Sequence, residues 1–237
     1  MIRWQSISHF LKKLHPPGFC MLCQQSHVGR WAVCRDCLDR LPQIDNGCLR
    51  CAHPLPDQHQ GLCGHCIQSP PAFDRVRVHY LFQEPLRQLI HRYKYQQQLI
   101  LGPVLAQLIQ TSLADLETKP DCLIPVPLHP KRLRERGFNQ AAYLAKLVGR
   151  ALQIPVNWRA CKKIINTEPQ AELDKTERAK NLKNAFLIKP IKAQRVALID
   201  DILTTGQTAN QLAKLLKTQG VGQVDVWCCA RAVMHDS

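Results

Sequence analysis

The chain has 237 residues, 45% of them hydrophobic, enough for one good core and a smaller module beside it. Its longest apolar stretches are short and interrupted by charge, which excludes a spanning helix of ~20 apolar residues. The formal charge is +14, and residues 73–237 carry a surplus of eleven positive charges against three in residues 1–72. A basic field of this kind favours phosphates in a small metabolite or along a nucleic acid; its plainer use is to keep the protein in solution.

The N-terminus has a helical apolar rhythm through Ile2, Ile7, Phe10, Leu11 and Leu14. It lacks an uninterrupted apolar region followed by a small-residue cleavage site, so no signal peptide is expected and the chain is expected to stay in the cytoplasm. Its twelve cysteines are then expected as thiolate ligands rather than disulfides. Eight fall in four Cys-x-x-Cys knuckles: Cys20/Cys23, Cys34/Cys37, Cys48/Cys51 and Cys63/Cys66. A two-residue spacer lets two thiolates converge on one tetrahedral ion, and two knuckles complete a structural Cys₄ zinc site.

Gaps of ten residues inside the first pair of knuckles and eleven inside the second suggest an internal repeat of two zinc ribbons. Sequential pairing is the first expectation; a crossed arrangement, first knuckle with third and second with fourth, competes with it, and redox dithiols are the remaining alternative. The segment holds too few large apolar residues to fold unaided, so metal must supply its stability. His27, His53, His59 and His65 lie nearby, but eight thiolates already satisfy two ions, which leaves these histidines to exposed loops. Residues 1–72 thus read as an N-terminal helix and double zinc ribbon. Residues 73–237 read as a second domain with its own core, so serine at Cys20 or Cys63 is expected to unfold the first domain and spare the second.

Phe73 to Phe82 alternates like a strand, with Val76, Val78 and Tyr80 on one face. Helices are predicted from Pro85 through Leu86, Leu89, Ile90 and Tyr93, and from about Val104 to Leu116. Asp121 to Pro127 reads as a short strand ending in prolines. Lys131, Arg132, Arg134 and Arg136 follow, then Gly137-Phe138-Asn139-Gln140 and a helix carrying Leu144, Leu147 and Val148. Arg132 and Arg136 suit phosphate through the fork geometry of guanidinium groups, unless they form a solvated basic face. Thr167 to Lys183 is polar and rich in Lys and Glu, either a mobile loop over a site or a surface linker. Cys122, Cys228 and Cys229 sit in apolar runs and read as buried small hydrophobes. Cys161 has no evident partner.

Val196-Ala197-Leu198-Ile199-Asp200-Asp201 reads as a buried parallel strand reaching its carboxyl end. A short Thr- and Gly-containing loop and an amphipathic helix through Ala209, Leu212, Ala213, Leu215 and Leu216 follow. Strand, hydroxyl-rich turn and helix N-terminus together make an anion site, because backbone N–H groups and the helix dipole converge there. Two adjacent acids at the strand end suit a sugar diol, directly or through hydrated Mg²⁺. The segment resembles the phosphoribosyl-pyrophosphate (PRPP) motif of type I phosphoribosyltransferases. That resemblance implies an α/β fold with a central parallel sheet flanked by helices. It also implies ribose hydroxyls on Asp200 and Asp201, and the 5-phosphate on Thr204, Thr205, Gly206, Gln207 and Thr208. Gln207 is larger than the small residue common at its position.

Pro125-Val126-Pro127, Arg132 and Arg136-Gly137-Phe138-Asn139-Gln140 narrow the resemblance to the ComF family, as do Gln170, Leu173, Arg178, Asn181, Ala185 and Phe186. The cysteine block is a third match. ComF proteins are associated with natural transformation, so the resemblance implies a role in DNA uptake, with single-stranded DNA and other competence proteins as partners. It leaves an enzyme that displaces pyrophosphate from PRPP as the alternative. Lys131, Arg132, Arg134 and Arg136 would then meet pyrophosphate or the DNA backbone. Val224 to Ala230 reads as the final strand with only seven residues after it, so no C-terminal hood to select a nucleobase is expected. With aromatics at 6%, no stacking platform for bases is visible either.

Overall fold

In the computed structural model, which describes residues 18–28, 31–56, 58, 60–165 and 185–233, four parallel strands build the central sheet. They are β3 (Arg75–Arg77), β4 (Cys122–Pro125), β7 (Arg195–Leu203) and β8 (Gln223–Arg231), in the order β3-β8-β7-β4. The middle strands carry the longest buried runs: Val196–Ile199 and, with Asp225 as the one charged residue, Val224–Ala230 are buried on both faces.

Side chains alternate between two apolar layers. Ala197, Ile199, Trp227 and Cys229 pack with α3 (Leu86–Tyr95), α4 (Gly102–Thr111) and α6 (Gln140–Leu152). Val196, Leu198, Val226 and Cys228 pack with α7 (Gln207–Thr218) and with β6 (Phe186–Ile188), which pairs antiparallel with β5 (Cys161–Lys163). Helices on both faces of a parallel sheet give the α/β architecture expected from the sequence. Cys122, Cys228 and Cys229 are buried as expected, and Cys161 is buried as well.

Two elements differ from expectation. The strand expected over Phe73–Phe82 shrinks to β3, followed by single bridges from Tyr80 to Gln43 and from Leu81 to Arg231. The backbone there is spent on the cysteine-rich segment: Ile44 N donates to His79 O and Leu81 N to Pro42 O, at 2.8 and 2.9 Å. Lys131 to Arg136, read from sequence without secondary structure, lie in α5 (Pro130–Arg136). His129 Nδ1 accepts from Lys131 N at 3.2 Å, Pro130 occupies the first turn, and Gly137 ends the helix at φ 78°.

The N-terminal ribbons, with β1 (Gly18–Phe19), β2 (Ser26–His27), α1 (Arg35–Asp39) and α2 (Gly64–Gln68), lie against the sheet domain. Cys20, Val33 and Leu41 share one apolar layer with Leu89, Ile90 and Leu105, and Ala52 shares the other with Phe73 and Val226. Arg92 Nη1 donates to Met21 O at 2.6 Å, and Val76 N donates to Arg50 O at 2.7 Å. The expectation of separate cores therefore does not hold, because the ribbons bring too little apolar surface to close a core alone. The apolar rhythm of residues 2–14, His59, and the stretch from Thr167 to Lys183 with Gln170, Leu173, Arg178 and Asn181 lie outside the described residues.

Candidate functional site

The carboxyl ends of β7 and β4 converge with α7, α5 and α3 on one rim of the sheet. Asp201 is buried, and both of its oxygens meet Lys94 Nζ, Oδ1 at 3.3 Å and Oδ2 at 3.1 Å. Asp200 keeps part of its surface, and its Oδ1 accepts from Asp201 N at 2.9 Å. The two acids are thus unequal: Asp201 is committed to a half-buried cation, while Asp200 keeps surface for a ligand. Burial and then repulsion from Asp201 raise the Asp200 carboxyl to about 8, against the pull of Lys94.

Beyond β7 the chain turns through Thr204 and Thr205, both exposed, into Gly206. Gly206 is the N-cap of α7 in the left-handed region at φ 73°, where any other L-residue except Asn or Asp is strained. Gln207 is exposed and Thr208 half-exposed in the first turn; Gln207 N donates to Thr205 Oγ1 at 3.4 Å. The loop is held from behind by a buried Arg231. Its Nη1 donates to Leu203 O at 3.1 Å, to Thr204 O at 2.5 Å and to Ala232 O, and its Nε donates to Cys51 O at 3.0 Å. With the Leu203 and Thr204 carbonyls taken by one guanidinium, the exposed Thr204 and Thr205 lie on the solvent side of the turn. These groups fit a phosphorylated sugar: one partly exposed acid for a diol or hydrated Mg²⁺, and a helix N-terminus for a terminal phosphate.

The four basic residues of α5 are divided. Lys131 and Arg134 are exposed, whereas Arg132 and Arg136 are partly buried on the same side of the helix, four residues apart. Arg136 Nη1 donates to Gln140 Oε1 at 2.9 Å, and its guanidinium lies over the Tyr95 ring, 5.2 Å from the centroid. Arg132 lies close enough to Lys163 that burial and its charge together lower the lysine's pKa. Among the described residues no ion pair joins Arg132 or Lys163 to a carboxylate. Two like charges held together without an acid favour an external anion.

The cysteines form two clusters, Cys20/Cys23/Cys34/Cys37 and Cys48/Cys51/Cys63/Cys66, with all Sγ atoms of a cluster within 4.8 Å of one another. Pairing is sequential, not crossed. Cys23 Sγ and Cys34 Sγ are 3.8 Å apart, Cys51 Sγ and Cys63 Sγ 3.6 Å. Zn–S bonds of ~2.3 Å in a tetrahedron require S–S edges of about 3.8 Å. At Cys20 burial opposes the thiolate, but the amides of Cys34, Cys23 and Leu22 outweigh it and bring the thiol down to about 6. The same balance brings Cys48 to about 7, while burial pushes Cys37 up to about 12 and Cys51 to about 11. Four crowded thiols cannot all ionise without a cation among them, which is the chemistry of a structural zinc site. Among the described residues neither cluster includes a histidine.

Residues 10–67 match the double zinc ribbon domain family. Over most of the chain, Competence protein F of Haemophilus influenzae is 35% identical across 225 residues, covering 90% of this chain and 96% of that protein. The chain belongs to the ComF family. The DNA utilization protein YhgH of Escherichia coli K12 is 32% identical, covering 92% of this chain and 98% of that protein. Competence protein ComFC of Bacillus subtilis is 28% identical over 79% of each. Among solved structures, a purine phosphoribosyltransferase from Pyrococcus horikoshii is similar at 17% identity and a TM-score of 0.33, over 56% of this chain and 82% of that one.

The ComF pattern Arg-Gly-Phe-Asn-Gln acquires a physical account at residues 136–140. Gly137 ends α5, and Phe138 packs edge-on against Tyr93 at 5.5 Å. Asn139 caps α6 by accepting from Ala142 N while its Nδ2 donates to Val126 O at 3.1 Å, tying the helix to the end of β4. Gln140 is buried; its carbonyl accepts from Tyr93 Oη at 2.9 Å. Sequence reasoning missed Lys94, Lys163 and Arg231. Tyr93-Lys94-Tyr95 at the end of a helix carries no signal for a partner 107 residues away. Lys163 and Arg231 look like ordinary strand-end cations.

Proposed function

We propose that this ComF chain works in DNA uptake, handling incoming single-stranded DNA in the cytoplasm through a rim that also binds PRPP with Mg²⁺. The observation that carries this reading is the pair of cations, Arg132 and Lys163, held together beside Arg136 with no carboxylate partner among the described residues. The strand–loop–helix of β7 and α7 adds a turn and helix N-terminus that suit a 5-phosphate. The printed names of the relatives, competence protein and DNA utilization protein, agree with it. Among the described residues no helix is long and apolar enough to cross a membrane.

In this reading Asp200 receives the ribose hydroxyls, directly or through a Mg²⁺-bound water, and Lys94 holds Asp201 in place behind it. Thr204 to Thr208 take the 5-phosphate. Arg132, Lys163 and Arg136 take pyrophosphate or a strand's phosphates, with Lys131 and Arg134 adding exposed charge. Mg²⁺, when bound, neutralises charge on the diphosphate. Other competence proteins are the expected macromolecular partners.

Affinity for single strands should be nearly independent of sequence and should fall with salt at a log–log slope of about −0.7 per phosphate neutralised. Replacing Arg132, Arg134 and Arg136 by Ala should flatten that slope by roughly two units, and free PRPP should compete. A triple variant that keeps both affinity and slope in a fluorescence titration would place the DNA elsewhere. A second reading, phosphoribosyl transfer to an acceptor, is favoured by the partly exposed Asp200 beside an intact phosphate loop. Release of pyrophosphate from PRPP when acceptor candidates are added tests it, and a flat time course across nucleobases, amines and oligonucleotides rejects it.

A further inference from the structure

A cavity of about 560 Å³ opens at the amino ends of β4 and β7, the opposite end of the sheet from Asp200. Residues 155–159 form one wall, residues 190–193 the other, with Asp121 and Cys122 between them. Both walls are anchored to the sheet edge by hydrogen bonds. Leu123 N donates to Pro155 O at 2.9 Å and Asn157 N to Leu123 O at 2.8 Å. On the other side Asp121 Oδ2 accepts from Gln194 N at 2.7 Å and Arg195 N at 2.9 Å. The cavity is therefore a formed feature of the sheet edge, in the size range of ligand pockets.

Its lining has a definite chemistry. Trp158 leaves 50% of its surface exposed, and among the described residues the other tryptophans, Trp31 and Trp227, are more deeply placed. Arg159 and Lys192 stand beside it as cations. Asn157 Oδ1 accepts from Arg159 N at 3.2 Å, which leaves its amide N–H groups to donate. Asp121 keeps its second oxygen as an acceptor, and the two backbone amides hold its carboxyl below the usual range, so it is ionised. An aromatic face, two cations, one amide donor and one carboxylate acceptor together match a nucleotide: a base to stack, a phosphate to neutralise and a base edge to hydrogen-bond.

We propose that this cavity is a nucleotide subsite in which one base of a single strand stacks on Trp158 while its phosphate meets Arg159 and Lys192. The nucleotide chemistry stands on the cavity itself; only the choice of a strand over a free nucleotide rests on the DNA reading above. It supplies the stacking platform that composition alone did not reveal.

The test titrates the full zinc-loaded chain with a short fluorescent oligothymidine, with the four deoxynucleoside monophosphates, and with Mg²⁺-PRPP, for wild type, Trp158→Ala and Trp158→Phe. Trp158→Ala should weaken the oligonucleotide about tenfold, the effect of losing one stacked base, whereas Trp158→Phe should retain most of the affinity. PRPP affinity should not change in either variant, which also reports that both are folded. Photocrosslinks from bromodeoxyuridine oligonucleotides should include Trp158. Equal oligonucleotide affinity in all three proteins, with crosslinks only on the opposite rim, overturns the subsite and leaves the DNA reading standing. If wild type binds no oligonucleotide the DNA reading fails. The subsite then survives only as a free-nucleotide site, shown by monophosphate binding that Trp158→Ala weakens; absence of that binding overturns it too.

Discussion

Asp200→Asn is expected to weaken binding of Mg²⁺-PRPP by about ten- to a hundredfold, the worth of one charge-assisted hydrogen bond at ~1.5–3 kcal/mol. Calorimetric titration measures it, and equal affinity in wild type and variant would show that the acid does something else. Asp201→Asn is a different experiment. It leaves Lys94 as a half-buried cation without its carboxylate, a change that destabilises by ~3–5 kcal/mol in a fully buried pair and by less here, because the Lys94 side chain is 22% exposed. Urea unfolding should therefore separate the two substitutions, with Asp201→Asn alone shifting the midpoint downward. The pH dependence follows from the raised carboxyl of Asp200, near 8 against an ordinary 3.8. Ligand binding to the carboxylate displaces a proton, so PRPP affinity should rise with pH up to about 8 and then level off. Stability of the unliganded protein runs the other way. The raised pKa favours the folded state fully below about 4, and this contribution is lost as pH rises through about 8. Asp200→Asn should flatten both profiles.

Cys63→Ser is expected to take the zinc content from about two ions per chain to about one, and to lower the unfolding temperature of the whole chain rather than of its N-terminal part. Structural zinc contributes ~10–16 kcal/mol of folding free energy in isolated zinc-finger peptides, so one lost thiolate removes a large share of the ribbon's stability. The effect reaches further because Cys51, in the same cluster, packs against the apolar layer that holds Phe73, Leu198 and Val226. Elemental analysis with calorimetric melting checks both halves. A variant that loses one zinc yet melts in two steps, with the sheet domain at the wild-type temperature, would restore the picture of separate cores.

Much of this architecture was readable from local chemistry. Val196 to Thr208 announces strand, acids, loop and helix within a single segment, and the knuckle spacings announce two ligand sets. Both signals are short-range. What escaped is long-range or patternless. Lys94 meets Asp201 across 107 residues, and nothing in Tyr93-Lys94-Tyr95 points there. Lys131 to Arg136 has only Leu133 as an apolar residue, so no periodicity marked α5; His129 and Pro130 were its only signs. The shared core escaped because Val33 and Leu41 read as isolated residues in a cysteine-rich segment and become core only against Leu105 and Ile109. Trp158 escaped because a count of aromatics says nothing about where one of them sits.

Arg231 spends its donors on four carbonyls, three from its own strand end and the phosphate loop and one from Cys51, a residue of the second metal cluster. The second ribbon, through a backbone carbonyl, is thereby part of the scaffold of the turn after β7. Zinc lost from Cys48, Cys51, Cys63 and Cys66 frees the Cys51 carbonyl to move, and the guanidinium that fixes Leu203 and Thr204 loses one of its anchors. Loss of that metal would thereby reach the turn after β7, which holds no cysteine of either cluster.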